Sequence, residues 1–128
     1  MDILVIEDEK PLLDAITIKL EKNGFTTFVA RTCEQAISIL ESHPTLQAVW
    51  LDHYLIGEHT GIDFIAQAKQ HPEYKHIPIF VVTNTGGTEK QQTYIRLGAE
   101  RYYIKSNHRL DEIILDIQKY LTKKTQRS

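Results

Sequence analysis

Short apolar runs rich in β-branched and aromatic residues alternate along this chain with segments of helical period, and that alternation leaves few folds open. Ile3 to Ile6, Ala48 to Leu51, Ile79 to Val82 and Tyr102 to Ile104 are apolar throughout and bounded by polar residues, the pattern of strands buried on both faces. A fifth strand is predicted over Phe25 to Ala30. It follows Asn23-Gly24, a helix stop, and carries Thr26, Thr27, Phe28 and Val29, residues that suit a strand. Between these runs the apolar spacing lengthens. Pro11 suits a first helical turn, and Leu13, Ile16 and Leu20 recur at helical intervals as far as Lys22. Thr32 with Gln35 has the spacing of a capping box before Ala36, Ile37 and Leu40, and His43-Pro44 ends that helix. Ile62, Ile65 and Ala66 mark a third helix stopped by His71-Pro72, Thr88 to Leu97 a fourth closed by Gly98, and Leu110, Ile113, Ile114, Ile117 and Leu121 a fifth.

Strict alternation of this kind predicts an α/β fold, a doubly wound parallel sheet with helices on both faces and right-handed crossovers. The expected architecture is flavodoxin-like (βα)5 with strand order 2-1-3-4-5. A chain of 128 residues, 41% of them hydrophobic, suffices for one domain and one sizeable core. Residues 1–128 are expected to form that single domain, with Lys123 to Ser128 a frayed polar tail and nothing left for an effector domain.

A formal net charge of -2 supplies no basic field, so direct binding to nucleic acid or to an anionic membrane is not expected. The single cysteine, Cys33, rules out an internal disulfide and is expected to be an inert small hydrophobe. With no signal-peptide pattern and no long apolar run, a cytoplasmic location is expected.

In open α/β sheets ligands bind beyond the carboxyl ends of the strands. The polar residues that follow the apolar runs are Glu7 and Asp8, then Asp52, Thr83 and Lys105. Three carboxylates on one rim repel one another unless a cation joins them, and with Lys105 a single divalent ion restores neutrality. Oxygen ligands without His or Cys suit Mg²⁺ rather than zinc or iron. The set offers a carboxylate nucleophile, Asp52, with Lys105 and Thr83 as donors to phosphoryl oxygens, and its natural product is an aspartyl phosphate.

The segments Ile6-Glu7-Asp8-Glu9, Trp50-Leu51-Asp52, Val82-Thr83-Asn84 and Gly98-Ala99-Glu100-Arg101-Tyr102-Tyr103-Ile104-Lys105 resemble the signature segments of bacterial response-regulator receiver domains. The likeness runs over essentially the whole chain. It implies a stand-alone phosphoacceptor switch of a two-component system rather than an enzyme, with self-catalysed phosphorylation and dephosphorylation. It further implies that Asp8 and Asp52 bind Mg²⁺ directly, that Glu7 acts through water and that Tyr54 lends its backbone carbonyl. Thr83 and Lys105 would bind the phosphoryl oxygens, and Tyr102 would report the state to the surface formed by the fourth helix, fifth strand and fifth helix. The implied partners are a sensor histidine kinase or phosphotransfer protein, an unknown downstream protein target and a phosphorylation-dependent second copy.

Four departures from the family pattern stand out. Glu7 takes the place of the commoner aspartate, and Asn84 stands where a small residue is usual. Ser106 follows Lys105 in place of proline, which favours a trans bond there because a non-proline cis peptide costs about 3 kcal/mol. The stretch from His53 to Gly61 lacks the usual proline and is one residue longer. The histidines, including His53 and His59, lack metal-ligand spacing and are expected in solvated loops.

Two other classes use parts of this pattern. A flavodoxin-like cofactor binder needs phosphate-cradling glycines or donors in the first loop, where this chain has Glu7, Asp8 and Glu9; flavin absorbance would reveal one. A haloacid-dehalogenase-like phosphatase carries its nucleophile after the first strand, and multiple turnovers on phosphate monoesters would reveal it.

Overall fold

The computed structural model describes residues 1–84 and 86–127, with side chains as far as Lys124. The elements follow in the order β1 (Asp2–Ile6), α1 (Lys10–Lys22), β2 (Thr26–Ala30), α2 (Cys33–Ser42), β3 (Ala48–Leu51), α3 (Gly61–Gln70), β4 (Ile79–Thr83), α4 (Thr88–Arg96), β5 (Arg101–Ile104) and α5 (Leu110–Arg127). All pairings are parallel and the strand order is β2-β1-β3-β4-β5, as the alternation requires.

The period of two along each strand decides which helix covers which face. Ile3, Val5, Trp50, Phe80 and Val82 point to one side, where Leu13, Ile16 and Leu20 of α1 and Ile113, Ile114, Ile117 and Leu121 of α5 meet them. Leu4, Ile6, Val49, Leu51 and Val81 point to the other, beneath α2, α3 and α4. Truncating the fully buried Ile117 to alanine would cost about 2–5 kcal/mol, because the tight layer closes only partly around the lost methyl groups.

Helix starts and stops follow local chemistry. Thr32 Oγ1 accepts from the Gln35 N–H at 3.0 Å, while Gln35 Oε1 reaches back one residue further than a capping box does, accepting from the Arg31 N–H at 2.9 Å. The reciprocal box lies instead at α3, between Thr60 and Asp63. By contrast α4 starts from Gly87 without a side-chain cap, and its one buried residue is Tyr94. No cis peptide bond occurs among the described residues, the Lys105–Ser106 bond included.

Helix α5 continues to Arg127, through most of the polar segment Lys123 to Ser128. Lys123, Lys124, Thr125, Gln126 and Arg127 include neither glycine nor proline, so nothing in them stops a helix already anchored by Ile117 and Leu121. Ser128 lies outside the described residues. No helix among the described residues is long and apolar enough to cross a membrane.

Candidate functional site

The chain leaves β1 toward β2 on one side and returns to β3 on the other, which opens a crevice at the carboxyl ends of β1 and β3. Register places the acidic residues there. Ile6 pairs with Leu51, so Glu7 and Asp52 emerge side by side, and the Asp52 N–H donates to the Ile6 carbonyl at 3.0 Å. One carboxylate oxygen from each of Glu7, Asp8 and Asp52 lies within 4.8 Å of the others. Thr83 pairs with Ile104 across β4 and β5, and the Lys105 N–H donates to the Thr83 carbonyl at 2.9 Å. All five residues expected on one rim are therefore brought to it.

Lys105 ties the set together. Its Nζ donates to Glu7 Oε1 at 2.8 Å and to Asp52 Oδ2 at 3.5 Å. Glu7 Oε2 accepts from the Glu9 N–H at 3.1 Å, so both oxygens of Glu7 are engaged. Burial pushes the Glu7 carboxyl up to about 7 against the pull of Lys105, with Asp8 and Asp52 adding to the rise. A cluster of hard oxygen donors with too few positive charges fits a small divalent cation such as Mg²⁺.

The loops that carry these residues are held from outside the rim. Arg31, just past β2, donates from Nη2 at 2.6 Å and from Nε at 3.1 Å to the Asp8 carbonyl. Its own carbonyl accepts from the Ile56 N–H at 2.9 Å. One residue thus braces the loop after β1 and the loop after β3, a role that nothing in its sequence position signals.

Tyr54 is exposed, with Lys90 Nζ 5.4 Å from its ring centroid. Asn84 is exposed at the end of β4. Tyr102 is half-buried, and its ring lies 5.8 Å from that of Tyr94.

His53 departs from the expectation of a solvated loop: it is buried. Its N–H donates to Asp52 Oδ1 at 2.7 Å, and its Nδ1 lies 2.6 Å from the hydroxyl of the fully buried Tyr94. Burial lowers the imidazole's proton affinity, with the Lys90 charge acting in the same direction. Burial also raises that of the phenol. Both shifts keep the partners neutral, so the hydroxyl and Nδ1 share a neutral hydrogen bond whose donor is set by the imidazole tautomer. Gly61 explains how the hydroxyl fits: a Cβ there would lie 2.5 Å from Tyr94 Oη and 2.7 Å from the Asp52 carbonyl. The available signals were the ring next to the acceptor position and the single aromatic that follows the polar run Thr88 to Thr93. His59 keeps to expectation as an exposed residue, paired with Glu34 at 2.6 Å.

Comparison with known proteins agrees with this layout. The model of the response regulator receiver domain family matches residues 3–118. The phosphate regulon transcriptional regulatory protein PhoB of Escherichia coli (strain K12) is 33% identical over 103 residues, covering 80% of this chain and 44% of PhoB. The chain thus corresponds to less than half the length of that relative. A CheY-like response regulator receiver domain protein from Methanospirillum hungatei JF-1 superimposes with a TM-score of 0.88 at 19% identity, over 99% of this chain and 98% of the other. The Mn(2+)-bound form of response regulator Rcp1 gives 0.75 at 24% identity, over 91% and 88%.

Proposed function

The chain belongs to the family of response regulator receiver domains, phosphoacceptor switches of two-component signalling, and from that premise we propose that Asp52 is its acceptor. The observation that carries this assignment is the meeting of Asp52 with Glu7 and Asp8 within 4.8 Å, with Lys105 Nζ 3.5 Å from Asp52 Oδ2. Asp8 and Asp52 would hold a Mg²⁺ ion directly, Tyr54 would contribute its backbone carbonyl, and Glu7 would act through water. The engagement of both Glu7 oxygens supports that division. When bound, the ion supplies positive charge to phosphoryl oxygens as they become more negative. The manganese-bound Rcp1 structure is in keeping with a divalent site in this fold.

The phosphoryl donor is a phosphohistidine on a sensor kinase or phosphotransfer protein. A carboxylate oxygen of Asp52 attacks phosphorus, the P–N bond breaks and its electron pair stays on the imidazole, leaving an acyl phosphate on Asp52. Lys105, already between Glu7 and Asp52, follows the phosphoryl oxygens, and the Thr83 hydroxyl donates to another. Because these groups belong to the receiver itself, phosphorylation by a small donor and hydrolysis by water are self-catalysed. Thr83 and Tyr102 then carry the change to the face formed by α4, β5 and α5, where a downstream protein or a second copy binds. The buried free thiol of Cys33 suits a reducing cytoplasm.

Hydroxylamine tests the chemistry, since it cleaves acyl phosphates. A modification gained with acetyl phosphate and Mg²⁺ and removed by hydroxylamine is the expected result, whereas one that survives would exclude an aspartyl phosphate.

A further inference from the structure

We infer that Tyr94 is the positioning residue through which phosphorylation of Asp52 is transmitted to α4, acting by way of the His53 ring. The inference rests on the assignment of Asp52 as acceptor and concerns how its state leaves the site. Helix α4 lacks a side-chain cap at Gly87 and buries one side chain, Tyr94. Where this helix sits on the sheet therefore depends on where that ring sits.

The Tyr94 hydroxyl is fixed by the residue next to the acceptor. Two hydrogen bonds lead from the carboxylate to the helix: the His53 backbone N–H donates to Asp52 Oδ1 at 2.7 Å, and His53 Nδ1 and the Tyr94 hydroxyl are bonded to each other at 2.6 Å. Gly61 leaves the hydroxyl a fitted notch, since a Cβ at that position would stand 2.5 Å from it. On its other side the Tyr94 ring lies 5.8 Å from the Tyr102 ring. A displacement of Tyr94 is thus felt both by α4 and by the aromatic of β5.

Forming the acyl phosphate gives the first link reason to move. A full carboxylate is a stronger hydrogen-bond acceptor than the carbonyl of an acyl phosphate. The His53 N–H therefore loses part of its hold on Asp52, or turns toward a phosphoryl oxygen. Either change shifts the His53 backbone and the ring it carries. A short bond to a packed phenol transmits that shift because the buried hydroxyl has no solvent to exchange it for.

Hydrogen exchange with and without beryllofluoride and Mg²⁺, a mimic of the phosphoryl group, tests the inference on the whole chain. In the wild type the mimic is expected to change protection both in the loop of residues 52–61 and across residues 88–104. In Tyr94→Phe the loop response is expected to persist at wild-type size, while the response over 88–104 falls at least threefold. A purely structural role for the hydroxyl would lower protection in both states alike and leave the difference intact, and that result would overturn the inference without touching Asp52. His53→Asn puts a side-chain amide where Nδ1 lies and is expected to retain the remote response; His53→Val is expected to lose it. Equal remote responses in these two variants would also overturn the inference. A wild type with no response in either region would remove the acceptor assignment and this inference together.

Discussion

Lys105 Nζ donates to Glu7 Oε1 at 2.8 Å, tying the end of β5 to the end of β1 while Asp52 lies just beyond at 3.5 Å. The ammonium is the one cation paired with this acidic group among the described residues. Replacing it with a neutral chain of similar length, Lys105→Met, leaves Glu7 buried without that partner. Glu7 then takes a proton rather than remaining an isolated charge, so the expected loss is about 1–3 kcal/mol. Urea melts should show the larger loss at pH 8, because at pH 6 Glu7 is already mostly protonated and has less to lose.

Glu7 itself makes stability depend on pH with a definite sign. Its carboxyl is raised by burial from 4.5 to about 7, so the folded protein holds this proton more tightly than the unfolded chain. In metal-free protein that contribution is complete below about pH 4.5 and disappears as pH rises to about 7. Glu7→Gln should flatten this part of the thermal stability profile. The wild type should bind Mg²⁺ more tightly at pH 8 than at pH 6, since the ion and the proton compete. Calorimetry at pH 7.5 should find Asp8→Ala weaker for Mg²⁺ than Glu7→Ala, and the reverse order would exchange their roles.

Gly61 is a site where one methyl group should disturb the rim. A Cβ would meet the Asp52 carbonyl at 2.7 Å as well as Tyr94 Oη, and backbone does not yield as a flexible side-chain tip does. Gly61→Ala is expected to cost about 1–3 kcal/mol and to slow uptake of phosphate from acetyl phosphate. A substitution neutral in both respects would show that the contact relaxes freely.

Cys33 should be chemically quiet. Burial, reinforced by Glu34 and Asp63, pushes its thiol up to about 11. At pH 8 only about a thousandth of it is thiolate, so iodoacetamide should label native protein far more slowly than protein unfolded in urea. Equal rates would contradict the burial of this residue.

Much of the fold is legible in the residues because strand and helix speak different periods here. Ile3 to Ile6 and Ile79 to Val82 are apolar throughout, as only doubly covered strands need be, and Gly24 and Gly98 adopt the positive φ angles that end α1 and α4. The rim is legible for a related reason: Glu7, Asp8, Asp52, Thr83 and Lys105 each stand at or within two residues of the end of a strand, and parallel topology alone brings strand ends together. His53 and Tyr94 escape this logic. They are 41 residues apart, and their meeting depends on the placement of α4, a helix whose polar sequence shows little of which side faces inward. The bracing of the Asp8 carbonyl by Arg31 is hidden likewise, since a backbone acceptor leaves no mark on residue type. Beyond Leu121 a polar composition marks no end, and α5 runs on to Arg127 because no helix breaker stands there.

Intact-mass spectrometry after incubation with acetyl phosphate and Mg²⁺ tests the central claim most directly, with wild type and Asp52→Asn treated side by side. Asparagine keeps the shape of the side chain but is a poor nucleophile, so the fold should survive, as judged by an unchanged circular dichroism spectrum. The result expected is a gain of one phosphoryl group in the wild type and none in Asp52→Asn. The same mass gain in both proteins would contradict Asp52 as the phosphoacceptor.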